Sequence, residues 1–172
     1  FGVEITTPRP TFECTTQNCI ISFANMDDEK FEEMISEDQS GILALKFTSC
    51  QMEKIPNSTF DKLPSLLCLM VTIPGLSSLE HGDFLSASNL QFLYLPGNRV
   101  KRLSKETFAG ASNLNDINLS DNDIEVVSED AFNGLEHLES LNLSRNQIAF
   151  LSQKSFESLA DLMNLDISGN TI

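Results

Sequence analysis

Apolar residues recur along this chain at a fixed spacing, with an asparagine set among them. Residues 114–124 read LNDINLSDNDI, in which Leu114, Ile117, Leu119 and Ile124 are apolar and Asn122 stands before the last of them. The arrangement returns 24 residues on as Leu138, Leu141, Leu143, Asn146 and Ile148, and again as Leu162, Leu165, Ile167, Asn170 and Ile172. One period earlier it reads Leu90, Leu93, Leu95, Asn98 and Val100. Two looser copies come first: Ile42, Leu45, Phe47 and Met52 with Cys50 in the asparagine slot, then Leu66, Leu69, Val71 and Leu76 with Pro74 there. Units this short cannot bury their own apolar faces, so the pattern predicts a solenoid in which each coil is covered by its neighbours.

The pattern also assigns each position a place. The alternation Leu-x-Leu predicts a short strand with its leucines inward and the residues between them outward. Stacked coils then form a parallel sheet along one wall. The asparagines fall where the chain leaves the strand, and a buried carboxamide there can donate to and accept from backbone groups of neighbouring coils. Cys50 can occupy that slot as a small buried group. Pro74 cannot donate, which predicts a bulged or irregular second coil. A second apolar row, Phe60, Phe84, Phe108, Phe132 and Phe156, keeps the same period and is followed by Leu63, Ala87, Ala111, Leu135 and Leu159. It reads as a spine of stacked rings in the core. Outer segments such as SEDAFNGLEHL look turn-like and short-helical, which makes the expected fold an α/β solenoid.

LxxLxLxxNxL at this period resembles the leucine-rich repeat family over residues 42–172, with repeats starting at Ile42, Leu66, Leu90, Leu114, Leu138 and Leu162. The resemblance implies a binding arc with its parallel sheet on the concave face. The repeat length is similar to that of the extracellular class, which includes receptor ectodomains, secreted immune-recognition factors and matrix proteins. The irregular first coils look similar to arthropod secreted or Toll-like ectodomains.

Residues 1–41 read as a lead and a cap. Phe12 to Cys14 and Cys19 to Phe23 suggest two short strands around a polar turn, and a Cys14–Cys19 disulfide would close that hairpin, although spacing alone does not fix the pairing. Extracellular members of the family commonly open with a cysteine-bearing cap. The usual four-cysteine cap is absent here, so the resemblance implies a reduced version. Phe31, Met34 and Ile35 follow at helical spacing behind Asp27, Asp28 and Glu29, which suit a helix start. The chain begins Phe1-Gly2-Val3, as a mature product or a trimmed segment would.

A net charge of -14 argues against a nucleic-acid backbone or an anionic membrane surface as the main partner. No apolar run is long enough for a membrane span. Nothing in the pattern supports catalysis, a metal site or a cofactor. His81 and His137 fall on the outer arms of different coils, and nucleophile elbows, phosphate loops and zinc-ligand spacings are missing. The chain is therefore expected not to be an enzyme.

Family function usually rests on the outward residues of the inner sheet. In the first coils these are Ala44, Lys46 and Thr48, then Cys68, Met70 and Thr72, then Phe92, Tyr94 and Pro96. The last three coils offer Asp116, Asn118 and Ser120, then Ser140, Asn142 and Ser144, then Asn164, Asp166 and Ser168. Cys68, Met70, Phe92 and Tyr94 thus make an apolar, aromatic patch beside a polar, mildly acidic half, and such a patch usually meets a partner. Coverage by the N-terminal cap is the competing explanation. Asp116, Asn118, Asn142, Asn164 and Asp166 are oxygen donors of the kind calcium takes, but a hydrated surface accounts for them without a ligand loop.

Asn57, Asn118 and Asn142 each begin an N-x-S/T glycosylation sequon. Glycans at Asn118 and Asn142 would stand on the concave sheet and push a partner toward Phe92 and Tyr94. The expectation is an extracellular recognition module that binds a protein ligand or co-receptor through its concave face. The alternative is a structural protein whose array serves oligomerisation or adhesion. A bare last coil would expose Leu162, Leu165 and Ile167, so either more chain or a second copy is expected to cover them.

Overall fold

The fold comes from a computed structural model that describes residues 11–14, 18–22, 29, 31, 33, 35, 41–48, 52–72 and 74–172, with backbone alone for those up to 22. In chain order the elements are strands β1 (Thr11–Cys14), β2 (Asn18–Ser22) and β3 (Ala44–Thr48), helix α1 (Thr59–Lys62), and β4 (Cys68–Val71). Then come β5 (Phe92–Tyr94), β6 (Arg102–Leu103), β7 (Asp116–Asn118), β8 (Val126–Val127), β9 (Ser140–Asn142), a 3₁₀ turn (Gln153–Phe156) and β10 (Asn164–Asp166).

One sheet of eight strands runs β1-β2-β3-β4-β5-β7-β9-β10. β1 and β2 are antiparallel, and each later strand pairs parallel with the one before it. The register follows the repeat: Leu45, Leu69, Leu93, Ile117, Leu141 and Leu165 form one row across the sheet. All of that row except Leu165 is buried. The hairpin sets Cys14 opposite Cys19 in its register. The side chains needed for the expected Cys14–Cys19 disulfide, together with Cys50, Met34 and the lead 1–10, lie outside the described residues. Of the expected acidic helix, residues 29, 31 and 33 are helical, Phe31 and Ile35 are buried, and Ile35 N donates to Phe31 O at 3.0 Å.

The asparagines perform the task their position predicts. Asn122 Oδ1 accepts from Val100 N at 3.1 Å, while Nδ2 donates to Leu95 O at 2.9 Å in the coil before and to Leu119 O and Ser120 O in its own coil. Asn98 and Asn146 repeat the same contacts one period away, and Asn170, two periods away, repeats those to Ile148 N, Leu143 O and Ile167 O. One side chain thereby pairs backbone groups from two coils that the outward turn would otherwise strand.

On the other wall the phenylalanines form the expected spine. Ring centroids of Phe60, Phe84, Phe108, Phe132 and Phe156 succeed one another at 5.7, 5.6, 5.9 and 6.3 Å. Phe31 and Phe47 make a further pair at the N-terminal end, 6.3 Å apart. Beside the spine, Thr59 and Thr107 are fully buried, their hydroxyls donating to Pro56 O and Ser104 O three residues back. That lets a polar side chain enter the core at no cost in unmet hydrogen bonds.

The pattern predicts a bulged or irregular second coil. Its strand is not bulged: β4 pairs in full register with β3, and Leu76 is buried behind it. Pro74 is exposed on the turn instead. Gly75 makes room, since a Cβ there would come within 2.7 Å of Met52 O. The irregularity is confined to the turn, where Thr72 N reaches Phe47 O only at 3.5 Å. On the convex side, regular helix is limited among the described residues to α1 and the 3₁₀ turn. The short sheet β6–β8, which the repeat pattern did not foretell, lies there with Arg102 paired to Val126 and Leu103 to Val127.

Replacing Asn122 by alanine removes four hydrogen bonds at a buried position and leaves backbone groups of two coils unpaired. The expected loss is about 3 kcal/mol of unfolding free energy in urea denaturation, and Asn170→Ala, at the half-exposed last coil, costs less. Gly110 (φ +98°) cannot accept a Cβ, because its backbone lies against Phe84 O and Leu85. Gly110→Ala is expected to lower the melting temperature more than Gly134→Ala, which shares a positive φ but has open space around it.

Candidate functional site

The register lays the outward residues in straight rows. One row runs Ala44, Cys68, Phe92, Asp116, Ser140 and Asn164, and the next runs Lys46, Met70, Tyr94, Asn118, Asn142 and Asp166. Strand neighbours sit about 4.8 Å apart, so Cys68, Met70, Phe92 and Tyr94 occupy one continuous area on β4 and β5. The structure therefore brings together the four residues singled out in the sequence. Phe92 is 36% exposed, and Cys68, Met70 and Tyr94 are half-buried. The Phe92 and Tyr94 rings lie 6.4 Å apart at a 32° tilt.

Asp116 on β7 borders this area directly, being the register partner of Phe92. Tyr94 Oη donates to Asp116 Oδ2 at 3.4 Å, a long and weak bond. Partial burial raises the Asp116 carboxyl above the ordinary aspartate range, and the Tyr94 hydroxyl only partly offsets that. Burial likewise raises the Tyr94 phenol, and the Asp116 charge pushes it further the same way. Cys68 carries a free thiol, and burial raises it as well. The thiolate is the reactive form of cysteine, so a raised thiol is the less nucleophilic one.

The polar half is organised by local turns. Asn118 Oδ1 accepts from Ser120 N and Asn142 Oδ1 from Ser144 N, each at 2.9 Å, and Ser144 Oγ also donates to Asn142. Asp166 makes the same turn with Ser168 N at 2.9 Å, using a carboxylate in place of the amide. The Asn-x-Ser spelling at Asn118 and Asn142 thus has a structural cause, since the repeat selects an acceptor two residues before a serine. Ser120 and Ser144 are themselves only 5% exposed. Asn57 differs from both. It is exposed on the turn before α1, with Lys54 Nζ 3.4 Å from its Oδ1.

Elsewhere, polar groups stack by repeat. Arg145 forms a two-point ion pair with Asp121 at 2.6 and 2.8 Å, Gln147 donates to Asp123, and His137 lies 3.3 Å from Asp161. Several exposed apolar residues escaped the sequence reading, among them Leu85, Val126, Phe150 and Met163. Phe150 is 74% exposed and Val126 44% exposed, in the same column of adjacent coils, where the third coil carries Arg102. A column reading extended to the outer arm would have found them. The last coil leaves Met163, Leu165 and Ile172 exposed.

The "Leucine rich repeat" family model matches residues 88–148 and again 112–172. The chain is a leucine-rich repeat protein. No curated protein matches it by sequence. Among solved structures it is similar to a TLR13–ssRNA13 complex, with TM-score 0.67 and 18% identity over 91% of this chain and 25% of that one. It is also similar to the Drosophila Toll–Spatzle complex, described as a hub in development and innate immunity, with TM-score 0.70 and 22% identity over 78% and 19%. An internalin from Listeria monocytogenes gives TM-score 0.66 and 20% identity over 88% and 40%. At such identities the likeness is one of fold, and the chain spans less than half of each of these proteins.

Tyr94 is the single tyrosine and there is no tryptophan, so near-ultraviolet absorbance and fluorescence report this site without interference. In an alkaline absorbance titration Tyr94 is expected to ionise above its ordinary value of about 10. Asp116→Asn removes one of the causes while burial remains. The midpoint should then fall toward the ordinary value without reaching it.

Proposed function

We propose that this chain is an extracellular protein-recognition module that binds a protein ligand or co-receptor through its concave face, with Phe92, Tyr94, Met70 and Cys68 as the contact area. The observation that carries this reading is an aromatic pair on the solvent side of a sheet whose core is filled without it. Rigid rings on a flat platform lose little entropy on contact and supply apolar area, which is why aromatic residues concentrate at interfaces. The sheet is preorganised by the asparagine ladder, so binding needs no costly rearrangement of the backbone. The solved Toll complex is one in which a similar fold meets a protein. The TLR13 complex contains RNA, but a chain of net charge -14 would repel a phosphate backbone.

The same reading gives binding rather than catalysis as the activity. It places the chain outside the cell, with Asn57 as the sequon best suited to carry a glycan and Cys14–Cys19 as a bridge in the N-terminal hairpin.

Two measurements test these statements. Intact mass of protein secreted from eukaryotic cells, before and after glycosidase and with thiol alkylation, should show glycan lost on Asn57→Gln and one closed disulfide. Unmodified mass with every thiol alkylated would remove the extracellular assignment. Secreted protein is then screened against a panel of ectodomains, and a true ligand should lose about 2 kcal/mol of affinity with Phe92→Ala. Phe150→Ser on the opposite wall should leave that affinity unchanged. The reverse ranking would place the interface elsewhere.

A further inference from the structure

The aromatic pair and its acidic neighbour together specify more than an apolar contact. We propose that the concave patch receives a basic side chain, an arginine or lysine of the partner, seated between the Phe92 and Tyr94 rings and the Asp116 carboxylate. This deepens the interface reading above and rests on it.

Three observations support the assignment. Phe92 and Asp116 are register partners on adjacent strands, so the ring face and the carboxylate border the same outward space. An alkyl chain ending in a cation can lie along such a ring while its head reaches the carboxylate, combining cation–π and ionic attraction. Second, Asp116 has no cationic partner among the described residues. The ion pairs among the described residues involve Glu106, Glu129, Asp121, Asp130 and Asp161, and none involves Asp116. Its contact with Tyr94 is long, at 3.4 Å, and leaves a carboxylate oxygen to accept from a stronger donor. Arg145, the nearby cation of the later coils, is committed to Asp121 through both carboxylate oxygens.

The third observation is charge. Asp and Glu outnumber Lys and Arg by 25 to 11 in the whole chain. Among the outward residues of the described sheet, Lys46 on β3 is the one cation, whereas Asp116 and Asp166 lie on the later strands. An acidic partner would meet repulsion from the chain as a whole. A basic one is attracted at long range and finds, at the patch, a partly desolvated carboxylate where a charge-assisted bond is worth more than on an open surface. Asp116 raised by burial is in keeping with this, because a cation would restore what desolvation took away.

The test uses a random heptapeptide phage library panned against the intact chain, with affinities of the enriched peptides then measured by Tyr94 fluorescence. Variants are Asp116→Asn, which keeps an acceptor for Tyr94 Oη and removes the charge, Phe92→Ala, and Phe150→Ser as a control. Circular dichroism melting confirms that each variant is folded. The expected result is enrichment of peptides holding arginine or lysine beside an apolar residue. Their affinity should fall about tenfold with Asp116→Asn, and equally when the peptide arginine is replaced by citrulline. Peptides that depend on Phe92 yet carry no basic residue, or whose basic residue is indifferent to Asp116→Asn, would overturn this inference and leave the interface reading standing. Failure to enrich, or binding unaffected by Phe92→Ala and Asp116→Asn alike, would overturn both.

Discussion

Everything in this molecule depends on how the backbone is satisfied where the chain turns out of the sheet. Leaving a strand sideways strands amide and carbonyl groups inside the solenoid, where water cannot reach them and each unmet group costs about 1–3 kcal/mol. Asn98, Asn122, Asn146 and Asn170 meet that demand with one carboxamide each, accepting from the preceding coil and donating to two coils at once. The bond crosses between coils, so it also fixes their spacing. Leucine packing could tolerate a small slide. The carboxamide could not.

The two walls divide the work that follows. The phenylalanine spine fills the thick outer side, with successive rings close enough to touch, while leucines fill the inner side. The outer wall must therefore be wider than the inner, which bends the stack toward the sheet. The outward residues of the strands are left with no structural duty of packing. They can vary while the coil beneath them stays the same, and the second and third coils use that freedom for Cys68, Met70, Phe92 and Tyr94 where the later coils hold Asn118, Asn142 and Asp166. The later choices are partly structural, since these acceptors cap Ser120, Ser144 and Ser168. The aromatic residues cap no such turn, and that contrast is what singles out the patch for the contact role proposed above.

Pro74 shows how a repeat absorbs an error. Without a donor at the asparagine slot, the second coil was expected to bulge or become irregular. The strand instead keeps full register, because its backbone is held from both sides by β3 and β5, and Asn98 of the third coil accepts from Leu76 N and donates to Val71 O. The next coil supplies part of what the second lacks. In a one-dimensional stack the neighbour is the environment, so one irregular unit between regular ones remains a local matter of its turn.

The period by itself determined the solenoid, the inward and outward rows, the asparagine ladder and the ring spine, because each of these follows from spacing along the chain. Composition and charge added the acidic surface and the absence of any catalytic pattern from the sequence. Only the tertiary structure decided the rest. It placed Tyr94 Oη within reach of Asp116, from a coil away, and left Asp116 without a cation among the described residues. It also turned Asn118 and Asn142 onto their own serine amides, and exposed Phe150 and Val126 on the outer arm. These are relations between side chains of adjacent coils, set by strand register and rotamer, and a linear pattern carries the row a residue belongs to but not what its neighbour across the row will bond.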